Sequence, residues 1–314
     1  MEKGRQHMPP ADMLILCALR PARRDSGLRI PGKYVWCSSV IAADGKWHMF
    51  SAAWDERADA SQYTHNELLQ NYLQLSEIVR SEADDPEGPY EFRETVLRPR
   101  GPGHWDVICC HNPCIVRAGE TFVLYFQTCG EPGEPRRIGY AAATDVRGPW
   151  THAEAPLPFP LDSVNPAVWI EPDGRVRMAF RQRSMRIAIA EAPSFRGPYR
   201  IINDDICPGV RLEDPFLCRT GSRWHMLIED NEGDLTGDVR HGAHLVSDDG
   251  VAWGVFADEP KAYTHTIEWT DGTSTTMDRR ERPWLLFGDD GRPAHLVTGC
   301  LEDGHASSAV QPLS

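Results

Sequence analysis

The sequence predicts an all-β fold, a five-bladed β-propeller, and three observations predict it. A hairpin signature recurs five times, and a Gly-Pro corner recurs three times in register. Gly (26) and Pro (25) punctuate all 314 residues so densely that long helices have little room. Five units of about 60 residues are the arithmetic of a propeller, in which radial repetition leaves only short, protected edges. A β-sandwich would explain the strands and turns but not the fivefold period.

The hairpins come first in each unit. They read VWCSSVIAADGKWHMFSAAW, CHNPCIVRAGETFVLYFQ, VNPAVWIEPDGRVRMAFR, LEDPFLCRTGSRWHMLIE and RERPWLLFGDDGRPAHLVTG. Their turns fall at Asp44-Gly45, Ala118-Gly119, Asp173-Gly174, Thr220-Gly221 and Asp290-Gly291. Pro113, Pro166, Pro215 and Pro283 are expected at the first residue of a strand, where a missing donor is tolerated. Each should bias its predecessor toward extended geometry and aim that side chain out of the strand end.

A third strand and a corner follow. With Ile78, Ile138 and Ile187 in register, Ala83, Ala143 and Ala192 align. So do Gly88-Pro89-Tyr90, Gly148-Pro149-Trp150 and Gly197-Pro198-Tyr199, and a looser copy runs from His244 to Gly250 with Trp253 after it. The corner aromatics are expected to pack between blades. Residues 1–314 thus read as one propeller domain with blade starts near 36, 111, 164, 213 and 281. Leu68, Leu69, Tyr72, Leu73 and Leu75 suggest a short helical insertion at about 61–75. The fifth unit runs short after Cys300, so the N-terminal stretch Met13 to Leu19 is the expected donor of the strand that closes the ring.

Composition narrows the partners. Lys and Arg number 33 against 46 Asp and Glu, a net charge of -13, which argues against duplex nucleic acid or an anionic membrane as partner. Met13 to Leu19, an apolar run near the start, is too short to span a bilayer, and no secretion signal is read there. Nine scattered Cys look like reduced thiols, so a cytoplasmic location is expected. No zinc site is expected from Cys109, Cys110, His111 and Cys114, because adjacent strand residues point to opposite faces. With no GxGxxG after a strand, no Walker motif and no GxSxG, neither a nucleotide cofactor nor serine hydrolase chemistry is expected.

In a propeller the first strand of every blade lines the axis, so residues at the five strand starts converge. Those positions hold Cys37-Ser38, His111-Asn112, Val164-Asn165, Glu213-Asp214 and Glu281-Arg282, with Trp36 and Trp105 nearby. Polar groups for hydroxyls and flat aromatics for ring faces are the chemistry of a sugar site.

Several of these motifs resemble those of the five-bladed glycoside hydrolases of family 43 and its relatives, families 32 and 117, and most closely a sucrase-like branch. Leu212-Glu213-Asp214-Pro215-Phe216-Leu217, with Gly221 and Trp224-His225-Met226-Leu227 after it, resembles the family 43 segment that carries the general acid. Ser163-Val164-Asn165-Pro166 and His111-Asn112-Pro113 resemble Asp-Pro strand starts. The resemblance spans about the whole propeller and implies hydrolysis of a small glycan or glycoside, with Glu213 as proton donor, a role that partial burial beside Asp214 would suit. Asn112 and Asn165 stand where the family has carboxylates, and an amide cannot act as a base. The base must then come from elsewhere: Asp106 first, Asp230 second, Asp55 third, with Glu281 also able to serve. His111, Asn112, Asn165, Arg181, Asp214, Glu281, Arg282, Trp36 and Trp105 are the expected substrate contacts. Inverting single displacement is the expected course. No organic cofactor is required, and a calcium ion in the central tunnel is compatible with the resemblance. Two alternatives stay open: a propeller that binds sugar without cleaving it, and a phosphorolytic enzyme with Arg181, Arg280 and Arg282 as anion ligands.

Overall fold

The computed structural model describes residues 15–56, 76–129 and 134–314. The expected insertion at 61–75 lies outside them. Blade 1 is β1 (Lys33–Ala43), β2 (Lys46–Asp55), β3 (Glu77–Ala83) and β4 (Glu91–Leu97). Blade 2 is β5 (His111–Ala118), β6 (Thr121–Cys129), β7 (Arg136–Ala143) and β8 (Thr151–His152). Blade 3 is β9 (Val164–Ile170), β10 (Val176–Arg181), β11 (Ile187–Ala192) and β12 (Arg200–Asn203). Blade 4 is β13 (Leu212–Thr220), β14 (Arg223–Asp230), β15 (His241–Ser247) and β16 (Gly254–Val255), with β17 (Lys261–Tyr263) also paired to β15. A separate hairpin, β18 (Thr266–Glu268) and β19 (Ser274–Thr276), precedes blade 5, which is β20 (Arg279–Phe287), β21 (Pro293–Glu302) and β22 (His305–Pro312). All pairings within the sheets are antiparallel. The inner strands touch in a circle, β1 with β5, β5 with β9, β9 with β13, β13 with β20 and β20 with β1, so the five sheets form a propeller.

The N-terminal segment helps to close the ring, but in a different form from the continuous strand expected over Met13 to Leu19. Leu16–Ala18 is a single 3-10 turn, while Leu19 bridges Leu313 and Leu28 bridges Ser308. The anchor is apolar: Ile15 is buried with Phe216, Tyr263, Leu285 and Leu296, between blades 4 and 5. Glu259 adds a polar clasp, its carboxylate accepting from the Leu16 and Cys17 amides at 3.0 and 2.8 Å. Among the described residues no helix is long and apolar enough to cross a membrane.

Each inner strand breaks its pairing register in its first half, β20 having a second break between Leu286 and Phe287, and the first break decides what faces the axis. Slips lie between Trp36 and Ser39, between His111 and Cys114, and between Glu213 and Phe216. A further slip lies between Glu281 and Trp284, and in blade 3 the partner strand slips opposite Asn165. Within these bulges Cys37, Asn112, Asn165, Asp214 and Arg282 have φ of 56°, 52°, 57°, 57° and 59°. The expectation of extended residues before each Pro is therefore corrected: the predecessor is left-handed, because a bulge needs an extra residue turned out of the ladder. The Pro residues sit inside the strands rather than at their first residue, at the one point where no ladder donor is required. Asn and Asp accept positive φ readily, whereas Cys and Arg do so at a cost of about 1–2 kcal/mol.

Three residues beyond each bulge stand Val40, Ile115, Val168, Leu217 and Leu285, all buried. Each belongs to a different one of five hydrophobic clusters between neighbouring blades. Bulge and core are thus one repeated device. The polar residue turns to the axis, and the aliphatic that follows seats the blade, with each such side chain contributing about 1.5–3 kcal/mol on burial. Trp284 lies against four of the clusters and donates from its indole to the Val40 carbonyl at 3.0 Å.

The corners also repeat in detail. Gly88-Pro89, Gly148-Pro149 and Gly197-Pro198 all have cis peptide bonds. Tyr90 and Tyr199 donate their hydroxyls to the carbonyls four residues back, Pro86 and Phe195, both at 2.9 Å. Trp150 meets Phe50 of the neighbouring blade edge-on, with centroids 5.7 Å apart.

Candidate active site

The five bulge side chains join into a network around the axis. Cys37 Sγ lies 2.8 Å from Asn112 Oδ1, and Asn112 Nδ2 donates to Asn165 Oδ1 at 2.5 Å and to Gln127 at 2.9 Å. Asn165 Nδ2 donates to Asp214 Oδ1 at 2.7 Å, and Arg282 Nε lies 2.8 Å from Asp214 Oδ2. With the Asn112 amide turned over, its donations to Asn165 and Gln127 are replaced: its oxygen accepts from Arg282 Nη1 and Nη2 at 2.9 and 2.8 Å and its nitrogen donates to His111 Nε2 at 2.8 Å. His111 also meets Ser76 Oγ through Nδ1 at 2.9 Å, and the edge of Trp54 flanks its ring. Burial, reinforced by Arg282, pushes His111 well below the usual imidazole range, so it is a neutral partner in this network.

Four carboxylates and four guanidiniums surround this network. Glu213 pairs with Arg181 Nε at 2.9 Å and accepts from Asn165 at 3.3 Å. Asp214 pairs with Arg282, while Glu229 and Glu281 share Arg240 at 2.9 and 3.2 Å, and Arg279 also grips Glu281. Among these eight groups the formal charges balance. Side-chain exposure separates the acids: 20% for Glu213 against 1% for Asp214, 0% for Glu229 and 5% for Glu281. Burial drives Asp214 up, to about 8, against the pull of Arg282. Burial likewise drives Glu229 well above the usual carboxylate range, with Glu281 and Asp214 pushing the same way.

The structure gathers Glu213, Asp214, Glu281, Arg282, Arg181, Asn112, Asn165 and His111 into this network, but six expected site residues lie elsewhere. Asp106 is fully buried against Arg100 at 2.7 Å and His152 at 2.7 Å, and His152 belongs to β8, the outer strand of its sheet. Burial would raise its carboxyl, yet the hydrogen bonds from His152 and Arg100 prevail and hold it below its ordinary value. Asp230 is a loop cap: its two oxygens accept the amides of Gly233, Asp234, Leu235 and Thr236 at 2.8–3.1 Å, and nothing is left to activate water. Trp105 stacks on Phe126, covers Gly139 so closely that a Cβ there would clash, and donates to the Ala153 carbonyl at 2.8 Å. Trp36 is buried between blades 1 and 5, in a cluster with Trp54, Leu301 and Ala306. Both Trp residues are packing, Trp105 as a loop residue laid on β6 and β7 and Trp36 as a strand residue between blades. Asp55, the third candidate base, is the exposed last residue of β2. Arg280, a candidate anion ligand, is fully buried and spent on Thr298, Gln311 and the carbonyls of Thr264 and Thr266.

Sequence reasoning missed Glu229, Arg240 and Arg279. Counting back across the hairpin from Gly221 pairs Glu213 with Asp230, and only the bulge between Glu213 and Phe216 moves the partner to Glu229. Arg240 carried no signal: it ends a loop, at φ 61°, and is held there through its carbonyl by His265 Nε2 at 3.0 Å.

A central calcium ion, as the resemblance allows, does not fit these residues. Asp214, Glu229 and Glu281 bring donor oxygens within 4.8 Å of one another, but Arg282, Arg240 and Arg279 already neutralise them. The cavity beside the network, lined by Ser38, Pro113, Pro166, Pro215, Pro283 and Trp284 among others, is about 40 Å³. Asp214, Glu229 and Glu281 do not line it.

No protein-family model and no curated protein matches the sequence. Solved structures do match the fold. A thermostable family 43 glycoside hydrolase shares 12% identity over 95% of this chain and 93% of its own, with a TM-score of 0.65. A family 117 glycoside hydrolase from the marine bacterium Zobellia galactanivorans shares 15% over 96% and 91%, at 0.66. A family 43 β-xylosidase/α-arabinofuranosidase from a compost microbial metagenome, in complex with xylotriose and in a calcium-free form, shares 13% over 94% and 96%, at 0.66. At such identities the likeness establishes the five-bladed propeller of these hydrolases as the fold of this chain.

Proposed function

We propose that this chain hydrolyses a glycosidic bond in a small carbohydrate at the axial network, with Glu213 as the proton donor. One observation carries the reading: of the four axial carboxylates, Glu213 alone keeps a fifth of its side chain open to a ligand while Arg181 and Asn165 fix its direction. Asn112, Asn165 and Gln127 offer amides suited to hydroxyls. The likeness to glycoside hydrolase propellers supports the same reaction class.

In the proposed reaction the Arg181–Glu213 pair opens as the substrate enters. Once released from Arg181, Glu213 takes up a proton from solvent and passes it to the departing oxygen as the C1–O bond breaks, while a water oxygen bonds to C1 from the opposite face. Asp106 and Asp230 being engaged elsewhere, Glu281 is the carboxylate proposed to take the water's proton, poised by Arg240 and Arg279. Single displacement asks for carboxyl groups about 6.5–9.5 Å apart and inverts the anomeric centre. All nine cysteines are free, which supports a reducing, cytoplasmic setting.

Glu213→Gln should lower turnover at least about a hundredfold while preserving the melting temperature and sugar binding. Reducing-sugar release from aryl glycosides and disaccharides measures it, and near wild-type rates would discard Glu213 as the acid. A second reading, sugar binding without cleavage, is favoured by a specific observation: only one of the five bulge positions, Asp214, is a carboxylate. Thermal stabilisation by sugars with no release from any of them would select it.

A further inference from the structure

We infer that Arg282 is the resident cation of the central tunnel, so that this propeller holds its axis together without a divalent ion and becomes a calcium-binding protein when that guanidinium is removed. Arg282 occupies the bulge position of blade 5, the counterpart of Cys37, Asn112, Asn165 and Asp214. Its φ of 59° is a conformation that a long side chain seldom adopts, and it turns the guanidinium inward from blade 5. There Nε lies 2.8 Å from Asp214, and Nη1 and Nη2 reach the Asn112 amide at 2.9 and 2.8 Å. One side chain therefore ties blade 5 to blades 4 and 2, as a metal ion bound at the axis would. Its side chain is only 15% exposed, so the charge is committed to these partners rather than to a ligand.

What would remain without Arg282 is a set of oxygen ligands. Asp214, Glu229 and Glu281 keep their donor atoms within 4.8 Å of one another. Glu229 Oε2 is fully buried and has no hydrogen-bond partner among the described residues, an acceptor left over by the guanidiniums around it. The Asn112 and Asn165 amides lie on the same network, Asn165 directly against Asp214. Carboxylate and amide oxygens with one or two waters reach the six to eight ligands of calcium once the guanidinium is gone.

Arg282→Asn is the variant of choice, because Asn accepts positive φ and adds an amide oxygen. Arg282→Lys keeps the charge and serves as control. Melting temperatures of all three full-length chains are read in chelator, in calcium and in magnesium, with calorimetric titration of calcium alone. The parent and the Lys variant should move by less than about 1 °C. The Asn variant should melt lower in chelator and recover by about 4 °C in calcium at a hundredfold excess over Kd, with one site per chain. A parent chain stabilised by calcium, an Asn variant indifferent to it, or an Asn variant that stays unfolded even in calcium would each overturn the inference. These readouts are of stability and stoichiometry, so they stand apart from the hydrolase reading.

Discussion

Asp106 of blade 2 and Glu213 of blade 4 are both carboxylates held by arginine, at 2.7 and 2.9 Å, yet their positions put them to different uses. Near the outer strand, Asp106 has Arg100 and His152 around it and no exposed surface. At the axis, Glu213 is oriented by Arg181 and Asn165 and keeps a free approach. Asp230 is the limiting case of the first kind, with four backbone amides on its two oxygens. A carboxylate saturated by its own protein stabilises the fold, and one that is aimed but not saturated is available to a ligand.

The contrast can be broken most forcefully at Asp230. Asp230→Ala should cost about 2–4 kcal/mol in urea unfolding, because several buried amides lose a charged acceptor at once. A loss near zero would mean that the loop holds itself. Asp106→Asn comes next, at about 1–3 kcal/mol, with turnover retained. Its acid limb should change as well. Because the folded Asp106 carboxyl lies below its ordinary value, its stabilisation is present above pH of about 4 and is lost as pH falls through the folded value, so the variant should lose less stability on acidification. Loss of turnover in Asp106→Asn would instead return that residue to the chemistry.

The smallest effect is expected at Glu229→Gln, within about 1 kcal/mol at pH 5, because Gln resembles the protonated acid that burial favours. Here the sign reverses. A carboxyl raised in the folded state contributes fully below its unfolded value and loses that contribution as pH rises, so the parent should weaken relative to the Gln variant from about pH 5 upward. Equal pH profiles would place Glu229 among the ordinary ionised pairs.

The ring of blades was legible because a propeller repeats its turns, and Asp-Gly or Gly-Pro at a fixed place is a local signal. Convergence of Asn112, Asn165, Glu213, Asp214 and Arg282 followed from topology alone. The engagement of Asp106 and Asp230 was not legible, since it depends on His152 and on a loop backbone whose path no residue spacing encodes. The left-handed residue before each Pro was obscured for another reason: the usual steric bias of a prolyl bond points the other way, and a bulge overrides it.

The five bulges have a consequence for how such a protein can diverge. Each blade presents one axis-facing position whose backbone is already settled by the aliphatic anchored three residues later, so exchanging Cys37, Asn112, Asn165, Asp214 or Arg282 rewrites the chemistry of the hub without asking the blades to repack. A single frame can thereby be retuned, one spoke at a time, between acids, amides, thiols and cations.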